Sequence, residues 1–155
     1  MGVPPPSDDG PSDRTYHRAR ATRKPILAAA AFTAASAWAF LRWKPFRVEI
    51  SGPSMRPGLE PGDWALAVES PRVRRGSIVL VEHPARPGFE MVKRVIAIPG
   101  DPTPEGRVLD HDEFWVEGDA PEESTDSRHF GPVRREHVKA AVRLVYWPLE
   151  RRRLL

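Results

Sequence analysis

The stretch FEMVKRVIAIPGD, residues 89–101, decides how the chain is read. Taken with the two-residue period of a strand, Phe89, Met91, Lys93, Val95 and Ala97 fall on one face, and Glu90, Val92, Arg94, Ile96 and Ile98 on the other. Lys93 is then the single charge on an otherwise apolar face. A lysine on a strand is usually a snorkelling surface residue, but these neighbours do not suit that role. An ammonium group held among apolar side chains loses its hydration, which favours the neutral amine and lowers its pKa. A neutral amine so placed is a base, and a serine hydroxyl needs such a base before it attacks a carbonyl.

Working outward, further short runs read as strands: Phe46 to Ile50, Asp63 to Val68, Ser77 to His83, Glu113 to Glu117 and Val138 to Trp147. Between them stand Pro61-Gly62, Arg75-Gly76, Pro87-Gly88, Pro99-Gly100 and Glu105-Gly106, a punctuation typical of all-β domains. The predicted fold is therefore mainly β, a compact barrel or sandwich over residues 44–147 carrying the catalytic residues. Arg134 to Lys139 is the one place after residue 44 that suggests a turn of helix. Residues 148–155, with Arg151-Arg152-Arg153, read as a solvated basic tail.

Ahead of this domain, residues 26–41 (ILAAAAFTAASAWAFL) carry no charge. Extended to Trp43, the run covers about 27 Å as a helix, close to the ~30 Å hydrocarbon core of a bilayer. We read 26–43 as a transmembrane helix. A cleaved export signal, suggested by Ala35-Ser36-Ala37 and Ala37-Trp38-Ala39, and a buried soluble helix are the competing readings. Arg14, Arg18, Arg20, Arg23 and Lys24 precede the run and Arg42, Lys44 and Arg47 follow it. The bias places the N-terminus in the cytoplasm and the β domain on the outer face of the cell membrane, in single-pass topology. Residues 1–25, opening with Pro4, Pro5, Pro6 and Pro11, lack the apolar content to order themselves.

The 155 residues contain no cysteine, which excludes disulfides, thiolate metal sites and a thiol nucleophile. The formal charge of +3 is modest, and the basic residues are scattered or flank one apolar run, so no nucleic-acid partner is expected. His83, His111 and His129 read as turn, surface or core histidines, and no metal or cofactor is expected.

The hydroxyl that Lys93 would serve is found in SGPSMRP, residues 51–57. Gly52, Pro53 and Pro57 restrict the backbone around Ser54 and fix where its side chain points. Taken together, Ser54-Met55-Arg56-Pro57, Lys93-Arg94 running into Pro99-Gly100-Asp101, and Gly118-Asp119 with Ser124, Asp126-Ser127-Arg128 and Gly131 resemble the type I signal peptidases.

That resemblance implies a nucleophile at Ser54, a general base at Lys93, and at Ser124 a hydroxyl that orients the lysine amine. It implies structural support from Arg94, Asp119, Asp126 and Arg128. Gly52 occupies the place where several members carry a serine that helps bind the oxyanion, which leaves that task to backbone N–H groups, including that of Ser54. Gly58 and Ala120 replace a threonine and an asparagine common in the family. Residues 102–117 alone separate the second and third blocks, so the extra β domain of larger members is absent.

The implied activity is a membrane-anchored Ser-Lys endopeptidase. Its partners would be the lipid bilayer and proteins bearing N-terminal signal peptides or propeptides. A dedicated maturation protease for nickel-type superoxide dismutase fits the same residues. A self-cleaving repressor of the SOS type and an inactive peptide-binding relative are the remaining readings.

Overall fold

The computed structural model describes residues 44–69 and 72–155, together with Thr33. The segment 1–25 and, Thr33 apart, the run 26–43 lie outside the described residues. Among the described residues no helix is long and apolar enough to cross a membrane.

Alternation in the sequence becomes alternation in burial. β4 (Glu90–Ala97) buries Met91, Lys93, Val95 and Ala97 and leaves the intervening residues partly or wholly accessible. β3 (Ile78–Glu82) has no polar face, and both of its faces are covered. Ile78 and Leu80 join Ala65, Ala67, Ala140 and Val142 on one side of the sheet. Val79 and Val81 join Val95, Val116, Val133 and Val138 on the other. β1 (Phe46–Glu49), β2 (Trp64–Val68), β5 (Glu113–Glu117) and β7 (Val138–Trp147) lie where turn-bounded apolar runs place them. β6 (Val133–Arg134) and β8 (Arg153–Leu154) are two-residue strands without a sequence period of their own.

The strands pair antiparallel in the order β1-β2-β7-β3-β4-β5-β6, with β8 added to β7. Register shifts at Trp64/Ala65, Leu66/Ala67, Leu80/Val81 and Val95/Ala97 bend it, as bulges do. The result is mainly β, as expected, but it is one open half-barrel sheet and not a closed barrel or a two-sheet sandwich. The physical reason lies in the central strands: β3 is apolar on both faces, so one curved sheet carries core on both sides. Ser127–Phe130 forms one helical turn capped by Asp126, and Arg135–His137 a 3-10 turn within the stretch expected to coil.

The C-terminal residues, exposed from Arg152 onward, rejoin the sheet. Leu149–Arg151 turns back and β8 pairs with β7. Arg151 donates to Asp63 Oδ1, and Arg153 donates to the carbonyl of Gly58. Asp63 is 2% exposed and also accepts the N–H of Glu60 at 2.9 Å. A carboxylate in that position without its guanidinium is a buried charge short of partners. Arg151→Ala is expected to cost about 2–3 kcal/mol, whereas Arg152→Ala, at an exposed position, should change stability by less than about 0.5 kcal/mol. Urea midpoints of the two variants check this.

Candidate active site

Ser54 sits in a 3-10 turn, Pro53–Met55, that follows β1. Pro53 occupies the first turn position, where its missing N–H costs nothing. The turn is pinned by Ile50 before it, by its own Met55 and by Leu59 after it, all buried. The Leu59 N–H donates to the Met55 carbonyl at 2.7 Å, and the Ala120 N–H donates to the Ser54 carbonyl at 3.0 Å. The serine is thus fixed from its own loop and from the segment after β5.

Lys93 reaches the same place from the middle of β4. The residue is 3% exposed, with Nζ 3.0 Å from Ser54 Oγ and 3.0 Å from Ser124 Oγ. Burial pushes the amine below its ordinary value of 10.5; the Asp126 carboxylate opposes this and the Arg128 guanidinium adds to it.

The hydrogen positions around Ser124 follow from its other neighbour. Ser124 Oγ lies 2.6 Å from Asp126 Oδ2. Asp126 is fully buried, which alone would raise its pKa. The Arg128 side chain, the Gly118 N–H, the Ser124 hydroxyl and the Arg128 N–H outweigh that and hold the carboxyl well below the usual carboxylate range. An ionised carboxylate only accepts, so the Ser124 O–H donates to Asp126 and its lone pairs accept from Lys93. One N–H of the amine is thereby committed to Ser124. In its neutral form the amine would have its lone pair left to face the Ser54 hydroxyl.

Asp126 is itself held by Arg128, with Nε 2.9 Å from Oδ1 and an Nη atom 2.5 Å from Oδ2, and by the Gly118 N–H at 2.9 Å. Arg94 and Asp119 form a separate two-pronged pair at 2.7 Å on each contact, which raises the Arg94 pKa through the Asp119 hydrogen bond. The structure therefore brings Ser54, Lys93, Ser124, Asp126 and Arg128 into one connected chain. Arg94 and Asp119 lie alongside it. A Cβ at Gly52 would meet nothing within 4 Å.

Two close approaches were not legible from residue types. A Cβ at Gly118 would stand 2.6 Å from Ser124 Cβ and closer still to Ser124 Oγ and the Ser54 carbonyl. A Cβ at Gly58 would overlap Asp119 Oδ2, so the glycine leaves room for the pair with Arg94. The sequence signal for Gly118 was its place just before Asp119 in the third block.

A groove of about 630 Å³ opens beside the pair. One wall is β1 with the residues following it, the other is residues 89–93, and Ile50, Met55, Leu80 and Val92 supply apolar lining. Among the described residues, β1 pairs only with β2, and β5 joins β4 only from Arg94 onward. Both walls thus offer backbone edges that no strand of the sheet occupies.

The signal peptidase family, peptidase S26, matches the chain over residues 21–104 and 102–147. The chain belongs to this family. Similar proteins include the mitochondrial inner membrane protease subunit 1 of Xenopus tropicalis, 34% identical over 116 residues, covering 66% of this chain and 70% of that protein. The human subunit 1 is 33% identical over 115 residues, covering 66% and 69%. The mouse subunit 2 is 36% identical over 120 residues, covering 66% and 67%. This S26 peptidase is thus related to both kinds of subunit.

Two substitutions in the S26 chain test the packing behind the serine. Gly118→Ala should destabilise by about 1–3 kcal/mol, because the neighbours it meets include backbone. Asp126→Ala should cost about 3 kcal/mol at neutral pH by stranding Arg128 and Ser124. Because the folded carboxyl lies below its ordinary value of 3.8, this difference should be full above that value and shrink as the pH falls through it. Denaturant titrations of both chains at several pH values measure it.

Proposed function

We propose that this S26 peptidase is a membrane-anchored Ser-Lys endopeptidase that removes N-terminal signal peptides or propeptides, with its β domain on the outer face of the membrane. The observation that carries this reading is the buried Lys93 amine, 3.0 Å from Ser54 Oγ. The relatives, named as inner membrane protease subunits, support cleavage at a membrane.

The reaction is acyl transfer. Ser54 O–H donates into the lone pair of neutral Lys93, and as Oγ attacks the scissile carbonyl carbon the proton passes to Nζ. The C–N bond then breaks, and the lysinium returns that proton to the departing amine. A water next gives its proton to Lys93 while its oxygen attacks the acyl carbon. Release of the carboxyl product returns the proton to Ser54. Ser124 holds the amine so that its lone pair stays on the nucleophile. The Ser54 N–H would be the backbone donor to the oxyanion, with no side-chain hydroxyl at Gly52 to assist.

The substrate would enter as an added strand between the edges of β1 and β4, its small side chains before the cut facing the apolar lining. Removal of a signal peptide or propeptide calls for such a grip, because it recognises an extended segment.

Ser54→Ala and Lys93→Arg are each expected to lower turnover of a signal-peptide substrate by a factor on the order of 10³ or more. The arginine variant fails because guanidinium stays protonated. With the native chain, turnover should climb with pH through the depressed lysine pKa, since only the neutral amine is a base. A profile flat from about pH 6 to about pH 10 would contradict the role of Lys93.

A further inference from the structure

Five glutamates stand on strands: Glu49 on β1, Glu82 on β3, Glu90 on β4, and Glu113 and Glu117 on β5. Three of them have partners. Glu82 meets Lys139 at 2.5 Å and the Gly88 N–H at 2.7 Å. Glu113 meets Arg107 at 2.5 Å, and Glu117 accepts from Trp115 Nε1 at 2.7 Å. The other two, Glu49 and Glu90, have no ion pair or side-chain hydrogen bond among the described residues. Both are exposed, and both line the groove beside Ser54, one from each wall.

Glu90 is also placed at a cost. Its cross-strand partner in register is Glu82, and like charges directly opposite destabilise a sheet. Lys139 neutralises Glu82 and not Glu90. Arg47 is the one arginine lining the groove; it shares the Glu49 face of β1 without approaching within ion-pair distance. A substrate cation would offset what the fold leaves uncompensated.

Resting on the endopeptidase reading above, we propose that Glu49 and Glu90 select extended peptides that carry a basic side chain about three to five residues before the scissile bond. The position follows from strand geometry: Glu90 precedes Lys93 by three residues, or roughly 10 Å at ~3.3 Å per residue. A peptide strand with its scissile carbonyl at Ser54 reaches that level about three residues upstream, and a lysine or arginine stem extends the range.

The test uses the full chain and three peptides identical except for Lys, Ala or Glu four residues before the cut. The Lys peptide should exceed the Glu peptide in kcat/KM by about tenfold at low ionic strength, and the ratio should shrink as salt is added. In the double variant Glu49→Gln, Glu90→Gln the ratio should fall to near one. Equal kcat/KM values in the native chain, or a ratio that survives the double variant, would overturn the proposal.

A binding arm separates this inference from the reading beneath it. Fluorescent Lys and Glu peptides are titrated against the Ser54→Ala chain, where no cleavage is needed. Ser54-dependent cleavage without a lysine preference in either arm defeats the selection alone. A lysine preference in binding, with no Ser54-dependent cleavage, defeats the endopeptidase reading and leaves the selection standing.

Discussion

A buried lysine, Lys93, whose amine has no carboxylate of its own is the constraint on which this site depends. The nearby carboxylate, Asp126, is already engaged by Arg128, the Gly118 N–H and the Ser124 hydroxyl. Lys93 therefore meets two hydroxyls instead of an ion pair, and desolvation outweighs the attraction of Asp126. A direct Lys–Asp contact would have the opposite effect, stabilising the ammonium.

The remainder of the fold holds that balance in place. β4 carries the lysine inward, and its pairing with β3 over Glu90–Arg94 fixes the register. Because β5 pairs only with the second half of β4, the first half keeps an edge beside the groove. The segment after β5 then returns past the serine: Gly118 permits the approach, Ala120 binds the Ser54 carbonyl, and Ser124 and Asp126 follow within a few residues. At the far end of the chain Arg151 and Arg153 grip Asp63 and Gly58, which belong to the loop after Ser54. Residues separated widely in sequence thus converge on one short turn.

What the sequence made legible was local. The period of residues 89–98 marked the inward face of β4 and the odd lysine on it, and β5 and β7 fall at the ends of their apolar runs. The two-residue strands β6 and β8 are too short to carry a period. The open sheet was not legible, since the pairings of β7 with β2 and β3 join segments far apart in the chain. The grouping of Ser54, Lys93 and Ser124 was expected from three spaced blocks. The roles of Gly118 and Gly58, and the clamp from Arg151, depend on which backbones meet in space, and residue type alone does not encode that. The apolar run 26–43 lies outside the described residues.

The most direct test is the titration of the Lys93 amine itself. The chain has four lysines, Lys24, Lys44, Lys93 and Lys139, so side-chain carbon NMR of labelled lysine gives few signals, and Lys93→Arg identifies the one of interest. The account predicts that this signal titrates clearly below the ordinary value of 10.5. Titration of Lys93 at or above that value would contradict it.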